Sequence, residues 1–82
     1  MTYKAEVRIQ LKPGVMDAEG ETVQKSLQLL GFPVKSVDSV KAYAIEIEAK
    51  SEDEARKQAD QMCKRLLANP VIQDYSIEIE SG

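Results

Sequence analysis

Apolar and polar residues alternate strictly through Tyr3-Lys4-Ala5-Glu6-Val7-Arg8-Ile9-Gln10-Leu11-Lys12, so a period of two places Tyr3, Ala5, Val7, Ile9 and Leu11 on one face. The pattern predicts a half-buried first strand. Pro13-Gly14 ends it, because proline cannot donate to a ladder and the pair favours a turn. Beyond the turn the apolar period lengthens. Asp17 is suited to cap a helix, and Val23, Leu27 and Leu30 follow at i, i+4 and i+7 as its apolar stripe. Gly31 can take the left-handed conformation that closes a helix, with Phe32 placed for the accompanying apolar contact and Pro33 blocking continuation.

Val34 to Val40 predicts a weaker second strand. After a short turn, Tyr43, Ile45, Ile47 and Ala49 alternate with Ala44, Glu46 and Glu48 in a third, so the two are expected to form a hairpin. Ser51 and Glu54 make a capping box, and Ala55, Ala59, Met62, Cys63, Leu66 and Leu67 trace the apolar face of a second helix. Glu52, Asp53 and Glu54 in its first turn and Lys64 and Arg65 near its last complement the helix dipole. Asn69 is expected to act as a left-handed cap before Pro70, and Tyr75, Ile77 and Ile79 alternate with Ser76, Glu78 and Glu80 in a final strand.

This order, β-α-β-β-α-β, predicts an α+β ferredoxin-like sandwich: a four-stranded antiparallel sheet with two helices on one face. In the usual strand order, 4-1-3-2, the first strand is central. Its outward Lys4 and Arg8 would then lie between Glu46 and Glu48 on one side and Glu78 and Glu80 on the other.

Length and charge narrow the partners. The 82 residues fit one domain, residues 1–82, and so small a core makes oligomerisation a natural source of stability. Lys plus Arg total 11 against 14 Asp plus Glu, a net charge of −3, which supplies no basic field for nucleic acid. The apolar runs are short and the N-terminal stretch alternates, so no membrane-spanning helix or signal peptide is expected and the cytoplasm is the expected compartment. One cysteine and no histidine exclude an internal disulfide and a zinc-type ligand set.

Candidate chemistry is sparse. Cys63 lies on the apolar helix face with no histidine in the chain to activate it, and reads as a small core residue. Glu46, Glu48, Glu78 and Glu80 could pair as acid and base or hold a hard cation, but read better as a solvated sheet face balanced by Lys4 and Arg8. Lys12-Pro13-Gly14-Val15 has one glycine and matches no phosphate loop. Tyr3, Tyr43 and Tyr75 fall on the faces expected to be buried, so the sheet lacks the exposed aromatics of an RNA-recognition module. A small-ligand-sensing regulatory domain stays open as an alternative.

Two stretches carry a family resemblance. Lys12-Pro13-Gly14-Val15 with Asp17 and Gly20, and Met62-Cys63, Leu66-Leu67-Ala68-Asn69-Pro70-Val71-Ile72 with Asp74-Tyr75, resemble the PurS family, the small subunit of phosphoribosylformylglycinamidine synthase. One place departs from the family pattern: Val40-Lys41 stands where a Gly-Lys pair is usual. The resemblance implies a homodimer or higher oligomer that bridges an ATP-binding synthetase (PurL-type) and a glutaminase (PurQ-type) in purine biosynthesis, with assistance to ammonia transfer between them as a further implied role. It implies no catalytic, cofactor or metal site on this chain, ATP and Mg being used by the complex. Lys12, Pro13, Gly14, Asp17, Asn69, Pro70, Asp74 and Tyr75, on segments expected to be exposed and rich in family-matching residues, are the candidate partner contacts.

Overall fold

The computed structural model describes residues 1–81. Strand β1 (Thr2–Leu11) is followed by helix α1 (Ala18–Leu29), strand β2 (Val40–Glu48), helix α2 (Glu52–Met62) and strand β3 (Gln73–Ser81). The sheet is three-stranded and antiparallel, in the order β2-β1-β3. This corrects the expected four-stranded sheet. The first strand is central, as expected, but residues 34–39 form no strand and no hairpin precedes β2. Their apolar residues explain why: Val34, Val37 and Val40 recur every third residue, a spacing that cannot keep one face of a strand apolar. Val40 and Lys41, expected at a hairpin turn, instead open β2, where a β-branched residue is at home.

Residues 30–39 turn back along α1. The Gln28 amide donates to the Val34 carbonyl at 2.9 Å, and Asp17, at the start of α1, accepts from both the backbone N–H and the hydroxyl of Ser39 at 2.7 Å. Helix and return segment together make an arm rooted where β1 ends and β2 begins. Asp17 also accepts from the Gly20 N–H at 2.9 Å, the N-cap expected of it, and Gly31 takes the left-handed φ of +95° that closes the helix. Only Gly20 of α1 is buried. The expectation that both helices cover one face is therefore half met: α2 packs on all three strands, whereas α1 makes no extended contact with any of them.

The core lies between α2 and the inner face of the sheet. Tyr3, Ala5, Ile47 and Ala49 meet Ala55 and Ala59 in one cluster, and Val7 and Ile9 meet Cys63 and Ala68 in a second. Val7 is fully buried, a side chain whose burial contributes on the order of 1.5–3 kcal/mol. Ser51 caps α2 by accepting from the Glu54 N–H at 3.2 Å. The other half of the capping box is not made, since the Glu54 carboxylate faces Gln58 instead. The helix ends in a π-helical turn, Cys63–Leu67, closed by the Ala68 N–H to the Cys63 carbonyl at 3.0 Å. Asn69 is not left-handed, because among the described residues only Gly14 and Gly31 have positive φ.

Register tests the expected charge pairing on the outer face. Lys4 lies between Glu46 and Glu80, as expected. Arg8 does not reach the glutamates; it stands between Ala42 and Ser76, and Glu6 lies opposite Ala44 and Glu78. Tyr43, expected to be buried, is 36% exposed because α2 leans toward β3 and leaves the β2 side of the inner face thinly covered.

Candidate partner-docking surface

The two segments singled out in the sequence meet at one end of the sheet. The Lys12 N–H donates to the Ile72 carbonyl at 2.8 Å, joining the turn after β1 to the connection before β3. Lys12 Nζ and Asp74 Oδ1 add an ion pair at 3.8 Å, too exposed to contribute much stability. Lys12-Pro13-Gly14-Val15 closes as a β-turn with the Val15 N–H on the Lys12 carbonyl at 3.2 Å, and Gly14 supplies the positive φ, +86°, that its third position requires. Across from it, Asn69 Oδ1 accepts from the Val71 N–H at 3.0 Å while the Asn69 N–H donates to Gln73 Oε1 at 2.7 Å. These bonds hold Asn69 and Pro70 in a fixed, exposed bend.

Of the eight candidate residues, Lys12, Pro13, Gly14, Asn69, Pro70 and Asp74 share this end. Val71, 78% exposed, lies beside them, an apolar side chain that charge and turn signals do not mark. Asp17 is close by, beneath the turn, but its carboxylate is occupied by Ser39 and Gly20. Those donors, the Ser39 N–H first, hold its pKa below the ordinary carboxylate value. Ser39 escaped the sequence reading because nothing in the local pattern links it to a residue 22 positions away.

Tyr75 faces the other way. Strand alternation turns it to the inner face, where its hydroxyl donates to Asp60 Oδ1 at 2.5 Å, and Lys64 Nζ approaches the same carboxylate at 3.0 Å. The bond to Asp60 pushes the Tyr75 phenol up to about 12, and Tyr75 and Lys64 together lower Asp60. A phenol whose pKa rises on folding stabilises the fold fully below its unfolded value near 10, and that contribution is lost as pH climbs through about 12. Tyrosinate absorbance from Tyr75 is accordingly expected to appear only near pH 12 and to move down in Asp60→Asn. A Tyr75→Phe difference titration checks this; equal titration of Tyr75 in the two proteins would break the assignment.

Cys63 is fully buried, and burial, with Asp60 nearby, raises its thiol pKa. Among the described residues no three His, Cys, Asp or Glu side chains are grouped as a metal would require. No helix among them is long and apolar enough to cross a membrane.

A family model described as "PurS: Phosphoribosylformylglycinamidine (FGAM) synthase" matches residues 4–81. The chain belongs to the PurS family. It is 57% identical over 74 residues to the phosphoribosylformylglycinamidine synthase subunit PurS of Archaeoglobus fulgidus, an alignment covering 89% of this chain and 92% of that one. The crystal structure of Methanocaldococcus jannaschii PurS, one of the subunits of formylglycinamide ribonucleotide amidotransferase, matches with a TM-score of 0.87 at 48% identity over 95% of both chains. A chain from the structure of PurLQS from Thermotoga maritima matches with a TM-score of 0.90 at 30% identity, over 98% of this chain and 99% of that one. The PurS resemblance read from the two sequence stretches therefore extends through nearly the whole fold.

Proposed function

We propose that this chain is the non-catalytic piece that bridges a PurL-type synthetase and a PurQ-type glutaminase. PurS is a subunit of phosphoribosylformylglycinamidine synthase, a glutamine-dependent, ATP-consuming ligase of purine biosynthesis, and this chain is such a subunit. The observation that carries the bridging role is the near full-length likeness to the chain from PurLQS. The lack of an activated nucleophile supports it, since Cys63 is buried away from solvent. In this reading the larger subunits bind ATP and Mg and carry out glutaminase and ligase chemistry, and the assembly works in the cytoplasm. A ligand-sensing regulatory role has no comparable support.

The bridging role is tested by reconstitution with both partners, comparing amidine formation from glutamine and from free ammonia. Glutamine-dependent activity is expected to need this chain, and ammonia-driven synthesis to need it less. Full glutamine-dependent activity without the chain would overturn the reading.

The end of the sheet carrying Lys12, Pro13, Gly14, Asn69, Pro70 and Asp74 is the proposed contact with one of the two partners. Asp74→Lys removes an exposed carboxylate and leaves the core intact, so its own stability should stay within about 0.5 kcal/mol of wild type. Its capture by the partners in sedimentation or pull-down assays is expected to fall. Normal assembly of Asp74→Lys would move the contact elsewhere.

A further inference from the structure

Strand β3 bonds β1 on one side and nothing on the other. The Lys12 N–H meets the Ile72 carbonyl one step beyond the Leu11 and Gln73 pair, so the even-numbered residues of β3 bond β1 and the odd-numbered ones turn their backbone groups outward. Arg56 bears this out, reaching from α2 to donate to the outward Ile77 carbonyl at 3.1 Å. Among the described residues no hydrogen bond reaches the Ile77 N–H or the backbone groups of Tyr75 and Ile79. Native sheets usually blunt such an edge by shortening or bulging it, or by setting lysine or proline along it. β3 runs 9 residues in unbroken register with β1 and carries neither.

Its outer face carries acid instead: Asp74, Glu78 and Glu80. Those carboxylates discriminate between occupants. A second β3 paired antiparallel about Ile77 would set Asp74 opposite Glu80, and one paired about Glu78 would set that glutamate against itself; like charges directly opposite are destabilising. A strand with Lys or Arg on its outer face meets the same carboxylates favourably, as Lys4 of β1 already meets Glu80. The inner side of the edge is also unfinished. Tyr75, Ile77 and Ile79 stay partly exposed where Ala5, Val7 and Ile9 of β1 are buried. A groove of about 700 Å³ runs between α2 and β3, lined by Arg56, Lys57, Asp60, Gln61, Tyr75 and Ile77 among others.

We propose that the open edge of β3 takes up an extended segment of one of the two larger subunits, a strand with basic residues at its outward positions and its alternate side chains in the groove beside α2. Backbone hydrogen bonds to Tyr75, Ile77 and Ile79 supply affinity, and the acidic face and the groove supply specificity. Arg56 releases the Ile77 carbonyl as the strand enters; until then it covers that one acceptor. The inference rests on the bridging reading, because a bridge needs a second docking surface besides the end of the sheet, and this edge provides it.

The test is residue-resolved hydrogen exchange of the full chain, alone and in the reconstituted complex, together with capture by the synthetase and the glutaminase separately. In the complex the Tyr75, Ile77 and Ile79 amides are expected to exchange slower by about tenfold or more, with the Ser76 and Glu78 amides, already bonded to β1, as references. Glu78→Lys combined with Glu80→Gln is expected to weaken capture by one larger subunit about tenfold and leave capture by the other unchanged. Glu78 lies opposite Glu6, so the lysine removes a like-charge pair and the circular dichroism spectrum should not change. Glu46→Lys, on the far strand of the same face, is the control. Unchanged exchange at the edge amides in a complex that forms, or capture indifferent to the double variant, would overturn the proposal. So would edge amides already slow in the isolated chain, which would place a second copy there. Glutamine-dependent synthesis that proceeds without this chain, beside edge amides that slow as described, would overturn the bridging role and leave the edge site standing. A wild type captured by neither subunit would overturn both.

Discussion

Ala59→Leu is expected to destabilise the protein by about 1–3 kcal/mol, the usual cost of forcing extra methylenes into a filled core. Ala55 and Ala59, four residues apart on α2, are fully buried against a sheet face on which Ala5 is also fully buried. Alanines on both sides of the seam let helix and sheet approach closely, so a larger side chain at this point has little room. A leucine at position 59 must tilt α2 or push it off β1, and either movement also opens the second cluster around Val7 and Cys63. In a domain of this size each kcal/mol shifts the melting midpoint by roughly 4–8 °C, so the change is large against a total stability of about 5–15 kcal/mol. Thermal melts at one fixed protein concentration measure it, because self-association would otherwise contribute to the midpoint. The Leu66→Ala variant, at an exposed site, is the control and should stay within about 0.5 kcal/mol. An Ala59→Leu midpoint equal to wild type would mean that the seam is looser than its burial indicates.

The strands and helices that build this seam were legible because their residues keep one period from end to end. Alternation places Tyr3, Ala5, Val7 and Ile9 of β1 and Tyr75, Ile77 and Ile79 of β3 on the face toward α2, and the stripe of Ala55, Ala59 and Cys63 lies opposite them. Segment 34–40 was misread for a related reason. A few valines in a polar stretch satisfy a strand template weakly, and local pattern cannot say whether a neighbouring strand is within reach. The α1 stripe was read correctly as apolar and wrongly as covered, since periodicity shows that a face seeks a partner and not whether the partner is in the same chain. Tertiary hydrogen bonds were the least legible. The Asp17–Ser39 and Tyr75–Asp60 bonds span 22 and 15 residues and leave no local signature. The candidate docking end was found in pieces, and only the fold joined Lys12 to Asp74.

Gly20→Ala is the prediction in which two familiar effects oppose each other. In an exposed helix interior the change would be favourable by roughly 1 kcal/mol, because alanine has the higher helix propensity. Gly20 is buried, however, and a Cβ there would lie 2.4 Å from the Val37 carbonyl oxygen and 2.6 Å from Asp17 Oδ2. The first of these is backbone and cannot rotate away. The return segment must therefore lift off α1, and its movement pulls Ser39 from the Asp17 carboxylate, which also loses its aim at the Gly20 N–H. Crowding wins over propensity, and the damage is confined to the arm, since α1 contributes little to the core beneath α2. The expected result is faster hydrogen exchange at the Ser39 amide, with a smaller loss of global stability than in Ala59→Leu. An unchanged Ser39 amide together with a gain near 1 kcal/mol would show that the arm's root is free to relax, and would remove the reason for a glycine at this position.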